Sequence, residues 1–155
     1  MFRLNFRLID FKIIPAEKDH EDHRKGIWTI RNENINYSKT TTQPISYTKH
    51  CEWWEYAFDK EYIYLILYKE DIVGYIRLTK NKTSSKEKNE ISIALSKNLQ
   101  GEGIGSYVYM LFEEQIKNLG INKIIAITDI KNTAGRKFFE KNKFKKTHIR
   151  FVKDL

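Results

Sequence analysis

The stretch from residue 90 to residue 120 constrains the fold more than any other part of the sequence. It opens with a short, β-branched segment at 90–95, which predicts a strand. A glycine-rich loop follows at 99–106 and reads Leu-Gln-Gly-Glu-Gly-Ile-Gly-Ser. From 103 to 119 apolar residues recur at steps of three and four, which predicts an amphipathic helix. A strand, a glycine loop and a helix in this order are typical of layered α/β domains.

The glycine-rich loop has the composition of an anion-binding site. Gly101, Gly103 and Gly105 can adopt positive φ and leave room for a ligand to touch the backbone. The following helix would present unpaired N–H groups and the positive end of its dipole to a phosphate or pyrophosphate. A flexible turn explains the glycines alone equally well. The spacing matches neither a Walker loop nor the dinucleotide fingerprint.

Periodicity and turn residues divide the rest of the chain into further elements. They are a strand over 2–11, a helix beginning at Pro15-Ala16, a helix capped by Ser46 and continuing through Phe58, strands at 62–68 and 72–79, a strand over 121–128, a helix over 132–142, and a closing strand over 147–152. The order β-α-α-β-β-β-α-β-α-β predicts one mixed α/β domain over residues 1–155.

Composition and charge exclude several classes of protein. The single cysteine, Cys51, excludes an internal disulfide and a cysteine-based zinc site. No window has the roughly 18 apolar residues needed to cross a bilayer, and the N-terminus lacks a signal-peptide pattern, so we expect a cytoplasmic protein. The net charge of +8 comes from dispersed lysines, which favours a solvated surface over a nucleic-acid interface.

Three segments together resemble the GNAT superfamily of acetyl-CoA-dependent N-acetyltransferases. The loop at 100–105, Gln-Gly-Glu-Gly-Ile-Gly, matches the family signature Arg/Gln-x-x-Gly-x-Gly/Ala. The segment at 90–95, Glu-Ile-Ser-Ile-Ala-Leu, looks like the family's fourth strand. The segment at 132–144, Asn-Thr-Ala-Gly-Arg-Lys-Phe-Phe-Glu-Lys-Asn-Lys-Phe, resembles its Asn-x-x-Ala/Ser…Tyr-x-x-x-Gly-Phe region.

The resemblance implies a mostly antiparallel central sheet with a splayed fourth strand and helices on both faces. It also implies acetyl-CoA as co-substrate, no metal, and direct attack of a primary amine on the thioester. The cofactor-binding residues that it implies are the main chain of Ile93, Ala94 and Leu95, the loop residues Gln100, Gly101, Gly103, Ile104, Gly105 and Ser106, and Asn132 near the acyl group.

The resemblance assigns the proton transfers less completely. Glu90 lies where many relatives keep a carboxylate that accepts the amine's proton, although a strand-end surface glutamate is an equal alternative. Phe139 occupies the position of the family's usual tyrosine acid, and Lys143 replaces the usual glycine. Tyr107, Tyr109 or water would then protonate the thiolate, and the tyrosines are equally interpretable as ordinary helix residues.

Two segments resemble a GNAT branch that acetylates nucleotide-linked amino sugars or the N-termini of ribosomal proteins. They read Ile-Trp-Thr-Ile-Arg-Asn at 27–32 and Ser-Tyr-Thr-Lys-His-Cys-Glu-Trp-Trp at 46–54. Arg31 would pair with a phosphate, His50 would hydrogen-bond a sugar, and Trp54 or its neighbour Trp53 would stack on a ring. A core tryptophan and a capping histidine are the plainer interpretations.

The expected partner is therefore a small-molecule amine, with no nucleic acid and no membrane. A homodimer remains open, as does a peptide N-terminus as acceptor. A third alternative is a GNAT fold that only binds acyl-CoA, which Phe139 keeps open.

Overall fold

The computed structural model describes residues 6–37, 43–80 and 88–155. The strands are β1 (Phe11–Pro15), β2 (Glu61–Tyr68), β3 (Asp71–Thr79) and β4 (Ile91–Leu95). The helices are α1 (Glu21–Glu33), α2 (Tyr47–Lys60), α3 (Ile104–Lys117) and α4 (Thr133–Lys141). Single 3-10 turns lie at Leu8–Asp10, Ile35–Tyr37 and Lys97–Leu99.

The four strands form one antiparallel sheet in the order β1-β2-β3-β4. On the outer side of β4, a single parallel bridge joins Glu90 to Ile125. From this bridge towards Leu95, no strand of the described chain pairs with the outer edge of β4. The fourth strand is thus splayed from the segment that approaches it, and the predicted mixed α/β sheet is confirmed.

The helices cover both faces of the sheet, as predicted. On one face α3 packs its apolar stripe, centred on Val108 and Phe112, against Ile66 and Ile76. On the other face α1 and α2 enclose a second core that includes Ile27. Because strand side chains alternate, each strand contributes to both cores. The two faces below are called the α3 face and the α1/α2 face.

Local sequence signals located most elements within a few residues. The predicted cap is present, since the Ser46 hydroxyl accepts a hydrogen bond from the Lys49 amide at 3.3 Å. The hairpin, the fourth strand and the helices after it also lie where the pattern put them. No helix in the described part of the chain is long and apolar enough to span a membrane.

The predicted first strand and first helix were misplaced. The strand is Phe11–Pro15 rather than 2–11, of which 1–5 lie outside the described residues. Pro15 ends β1 instead of beginning a helix, and α1 starts only at Glu21. In the described sheet β1 is an edge strand that pairs with β2 alone, so a proline without an N–H is tolerated there.

Two predicted strands after α3 are also absent from the described structure. The segment 121–128 makes only the bridge at Ile125, and 147–152 forms no strand. In the second segment Ile149, Phe151 and Val152 are exposed. Both segments have strand-forming composition, but a strand also needs a hydrogen-bonded neighbour, which composition does not provide.

Candidate functional site

The outer edge of β4 presents backbone groups to a ligand. Ile91 donates its amide to the Ile125 carbonyl at 2.8 Å, so Ile91 faces this edge. Backbone groups alternate along a strand, and Ile93 and Leu95 therefore face the same side. Ala94 alternates with these residues, so its main chain is directed to β3. Of the three main-chain contacts predicted for the cofactor, only those of Ile93 and Leu95 have the required direction.

The end of β4 is fixed by side-chain amides. The Leu95 carbonyl accepts hydrogen bonds from the Asn34 Nδ2 and the Gln100 Nε2, each at 3.0 Å. Gln100 also donates to the Asn34 Oδ1 at 3.0 Å. The Gln100 side chain thus connects the loop to α1, while the amide and carbonyl of Ile93 and the amide of Leu95 remain directed outwards.

The glycine-rich loop leaves its backbone exposed. Gly101 and Gly103 have φ of 84° and 77°, and no heavy atom lies within 4 Å of where a Cβ would be. Gly103 is the N-cap of α3 and supplies no side-chain cap. The first helical bond observed is from the Tyr107 amide to the Gly103 carbonyl at 3.4 Å. The amides of Ile104, Gly105 and Ser106 consequently have no intrahelical acceptor and can bind an anion.

Other predicted cofactor residues have a structural contact in this fold. A Cβ at Gly105 would lie 3.1 Å from the Phe138 ring, so this glycine allows α4 to approach α3. The Ser106 hydroxyl accepts a hydrogen bond from the Asn142 Nδ2 at 3.1 Å. Asn132 caps α4 by accepting from the Gly135 amide at 2.9 Å. These contacts explain the residue types without any ligand.

Glu90 lies just before β4, at the point where the open outer edge of this strand ends. The bridge to Ile125 is formed at this residue, and its amide donates to the Thr79 hydroxyl at 2.8 Å. Glu90 is only 3% exposed, so it is not the surface glutamate considered above. Since Ile91 belongs to the core of the α3 face, alternation puts the Glu90 side chain on the α1/α2 face.

The aromatic residues near α4 form a hydrocarbon cluster. The Phe139 ring centre lies 5.3 Å from that of Phe138 and 5.1 Å from that of Phe144. Tyr109 is buried, and its hydroxyl donates to the Glu113 carboxylate at 3.4 Å. Burial raises the pKa of Tyr109, and the nearby Glu113 raises it further. Tyr109 therefore retains its proton, and its hydroxyl is hydrogen-bonded to Glu113 in the same helix.

Two residues predicted to contact the acceptor are instead buried. Trp54 is 0% exposed, and its indole N–H donates to the Lys18 carbonyl at 2.7 Å. His50 is also 0% exposed, with Nε2 2.9 Å from the Arg24 carbonyl and Nδ1 3.1 Å from an Arg31 nitrogen. Trp54 is a core residue, and His50 has no ring nitrogen left for a sugar.

Arg31, in contrast, reaches a partly exposed cluster on the α1/α2 face. Its Cζ atom lies 4.4 Å from the centre of the Trp53 ring. Arg77 from β3 approaches the same ring at 5.1 Å and pairs with Glu61 at 3.2 Å. Arg77 belongs to no motif, so motif patterns alone did not indicate it. The available signal was its period-2 position, two residues after Tyr75, which places a guanidinium on a core-facing side of β3.

The remaining motif residues of α1 bind the segment just before α2. Trp28 and Asn32 both donate to the Ile45 carbonyl, at 2.7 and 3.0 Å, and the Ile45 amide donates to the Asn32 Oδ1 at 2.8 Å.

Cys51 is a free, partly exposed thiol. The described residues contain no group of three His, Cys, Asp or Glu arranged to hold a metal ion.

A sequence model of the acetyltransferase (GNAT) family matches residues 24–144. The chain belongs to the GNAT family. It is therefore an acetyl-CoA-dependent N-acetyltransferase, with acetyl-CoA as co-substrate. The matched region contains the open β4 edge and the glycine-rich loop. No curated protein matches the sequence.

Solved structures of N-acetyltransferases share the fold of this GNAT chain. An N-acetyltransferase from Staphylococcus aureus Mu50 is 24% identical, with a TM-score of 0.68 over 87% of this chain and 83% of that chain. An acetyltransferase from Salmonella typhimurium, solved with acetyl-CoA, is 16% identical, with a TM-score of 0.67 over 90% and 82%. A ribosomal-protein-alanine N-acetyltransferase from Brucella melitensis is 18% identical, with a TM-score of 0.63 over 84% and 82%.

Proposed function

We propose that this GNAT protein acetylates the primary amine of a small molecule bound on the α1/α2 face, by direct attack on the thioester. The observation that carries the proposal is the position of Glu90. This residue lies at the point where the open edge of β4 ends, and its side chain is on the face that holds Arg31 and Trp53.

The residues around the β4 edge fit acetyl-CoA. The exposed amides after Gly103 would hold the pyrophosphate, and the open backbone at Gly101 and Gly103 allows close approach. The outward groups of Ile93 and Leu95 would pair with an extended amide-containing arm. Acetyl-CoA supplies an electrophilic thioester carbonyl and a thiolate leaving group.

The direction of the strand supports a position for the reacting end of acetyl-CoA. The loop follows Leu95, so an arm that starts at the loop passes Leu95 and Ile93 and meets the bridge at Glu90. Five residues of strand span about 16 Å, at roughly 3.3 Å per residue. The acyl group would then lie beside Glu90, at the boundary between the cofactor edge and the α1/α2 face.

Glu90 would accept the proton of the attacking amine, directly or through a water molecule. An amine is largely protonated at neutral pH and must lose a proton before or during attack. Phe139 has no proton to donate, and Tyr109 is committed to Glu113. Tyr107 or water would therefore protonate the departing thiolate.

Fewer residues can contact the acceptor than the sequence predicts. With His50 and Trp54 buried, a nucleotide-linked amino sugar would be recognised by Arg31 and Trp53. A peptide N-terminus is the alternative, and one solved structure of similar fold is the ribosomal-protein-alanine N-acetyltransferase from Brucella melitensis. Membership of the GNAT family argues against the alternative of a module that only binds acyl-CoA, and turnover with an amine tests that alternative directly.

A screen of amine acceptors with acetyl-CoA, following free-thiol release, tests this function. Glu90→Gln keeps the side-chain shape and removes the basic carboxylate, so kcat/KM should fall roughly 10²-fold. Part of the loss should return at higher pH, where more amine is already neutral. Glu52→Gln, at an exposed site on α2, is the control and should keep wild-type activity.

Two outcomes would contradict parts of the proposal. Full activity of Glu90→Gln at every pH would show that the amine loses its proton to bulk water. Cofactor binding without thiol release for any amine would favour a binding module.

A further inference from the structure

Two arginines lie against one tryptophan on the face that carries Glu90. The Cζ atoms of Arg31 and Arg77 lie 4.4 and 5.1 Å from the centre of the Trp53 ring. Both distances are within cation–π range. The three side chains, Arg31, Arg77 and Trp53, are called the arginine pair site below.

One carboxylate of the described chain lies within ion-pair distance of the two guanidiniums. Arg77 pairs with Glu61, whereas no described carboxylate lies within 4.0 Å of the Arg31 guanidinium. The side-chain partner of Arg31 is His50, which burial and Arg31 itself keep neutral. Burial and the nearby Arg77 lower the pKa of Arg31. Within 4.0 Å, the two guanidiniums thus share a single carboxylate of the described chain, and a bound anion would offset the remaining positive charge.

Donor groups of both guanidiniums remain available for such an anion. The Nε of Arg77 is buried and has no hydrogen-bond partner in the described residues, although the whole side chain is 14% exposed. Arg31 uses one of its nitrogens for His50, and a guanidinium has five N–H donors. Trp53 is partly exposed, so the site is accessible from solvent. Forked donors of this kind match the geometry of a carboxylate or phosphate.

Strand register sets the distance from this site to the reacting groups. Arg77 lies opposite Ser92, and Glu90, just before β4, is two residues from Ser92, so Arg77 and Glu90 are diagonal neighbours. Diagonal positions on one face of a sheet are about 7–8 Å apart. We infer that the acceptor is a small amine with an oxyanion group, carboxylate or phosphate, which Arg31 and Arg77 bind while the amino group faces Glu90. This inference rests on the proposed acyl transfer.

Matched amines test the inference with the whole 155-residue chain. The first pair, 6-aminohexanoate and hexylamine, differs by a carboxylate, and the second, glucosamine 6-phosphate and glucosamine, differs by a phosphate. Thiol release from acetyl-CoA gives KM and kcat for each amine. We expect a KM at least about tenfold lower for the anionic member of one pair, as for a hydrogen bond to a charged group. The pair that shows the effect identifies the oxyanion.

Substitutions of the arginines test which side chains produce the preference for the anionic amine. Arg77→Gln should raise the KM of the anionic amine by about tenfold to a hundredfold, with kcat and the neutral amine little changed. Arg31→Gln should have the same effect and replaces Arg77→Gln in the test if that variant does not fold. Arg24→Gln removes a positive charge from the same helix as Arg31, where the guanidinium bonds the Tyr47 hydroxyl at 3.0 Å. This control should keep the preference.

A binding measurement tests the inference even if no amine is acetylated. Inorganic phosphate, added with saturating CoA so that the loop is filled, should raise the Tm of the wild type and not that of Arg77→Gln. Absence of an Arg77-dependent shift overturns the inference. Equal use of neutral and anionic amines, or equal losses for both in Arg77→Gln, also overturns it and leaves acyl transfer intact. No thiol release from any amine contradicts the proposed transfer instead.

Discussion

His50 is held in one neutral tautomer by the two groups that its ring nitrogens contact. A carbonyl only accepts, so Nε2 carries the hydrogen and donates to the Arg24 carbonyl at 2.9 Å. A guanidinium only donates, so Nδ1 accepts from Arg31 at 3.1 Å. Burial, and then Arg31, lower the pKa of His50 to about 4. His50 therefore orients Arg31 without adding a charge to the arginine pair site.

This histidine should make folding stability depend on pH. Between pH 6.5 and about 4, the unfolded chain binds a proton at this residue that the folded chain does not. The stabilisation is complete above pH 6.5 and is lost as pH falls towards 4, by up to about 3 kcal/mol. His50→Gln lacks this titration, so its free energy of unfolding in urea should fall less over the same range.

His148→Gln is the control, because His148 is exposed and should leave the wild-type pH dependence in place. An identical pH dependence in His50→Gln and the wild type would contradict the buried neutral state.

Adjacent tryptophans show why the acceptor residues could not be assigned from sequence. Successive helix positions differ by about 100°, so one of two neighbours can point to the core and the other to the surface. Trp54 joins the core, and Trp53 meets the arginines. The choice depends on how α2 rotates against the sheet. Such a rotation follows from packing with α1 and β2, which the local pattern does not contain.

At the scale of one element, α3 is bounded by two glycines in the same left-handed conformation. Gly103 has φ of 77° and Gly120 has φ of 75°, and a Cβ would meet no heavy atom within 4 Å at either. The 14-residue helix separates them by about 20 Å. Their backbone requirements are matched, and only Gly103 lies in the loop after β4.

The two glycines therefore separate cofactor binding from backbone strain. Valine at either position should lower the Tm of the free protein by a similar amount, since left-handed backbone costs a side chain about 1–2 kcal/mol. Gly103→Val should also abolish the rise in Tm caused by acetyl-CoA, because the side chain would occupy the space needed by the pyrophosphate. Gly120→Val should retain that rise. A retained shift in Gly103→Val would place the cofactor elsewhere.

Elements defined by local sequence were predictable, and elements defined by distant partners were not. The cap at Ser46 and the apolar stripe of α3 each depend on a few neighbouring residues. The strand status of 121–128 depends on whether β4 pairs with it along its length, and the two meet only at Ile125. Pro15 fits both a helix start and an edge strand, and only the sheet order decides between them.

At the scale of the whole molecule, α1 connects the arginine pair site to the loop end of the proposed cofactor edge. The Glu33 carboxylate accepts from the Ser96 hydroxyl at 3.0 Å and from the Lys97 amide at 3.2 Å. Asn34, the next residue, contacts the Leu95 carbonyl and the Gln100 side chain. The helix that carries Arg31 is thus bonded directly to the end of β4 and to the glycine-rich loop.

Asn34 tests whether this junction positions the cofactor edge. In Asn34→Ala the Gln100 amide loses one acceptor and the Leu95 carbonyl loses one donor, although the bond between Gln100 and Leu95 can remain. The loop should become less ordered, and the Kd for acetyl-CoA, measured by calorimetry, should rise about threefold to tenfold, or roughly 0.6–1.4 kcal/mol. Asn118→Ala, at the exposed end of α3, should leave that Kd unchanged. A lower Tm for Asn34→Ala with an unaltered Kd would show that the junction supports only the fold.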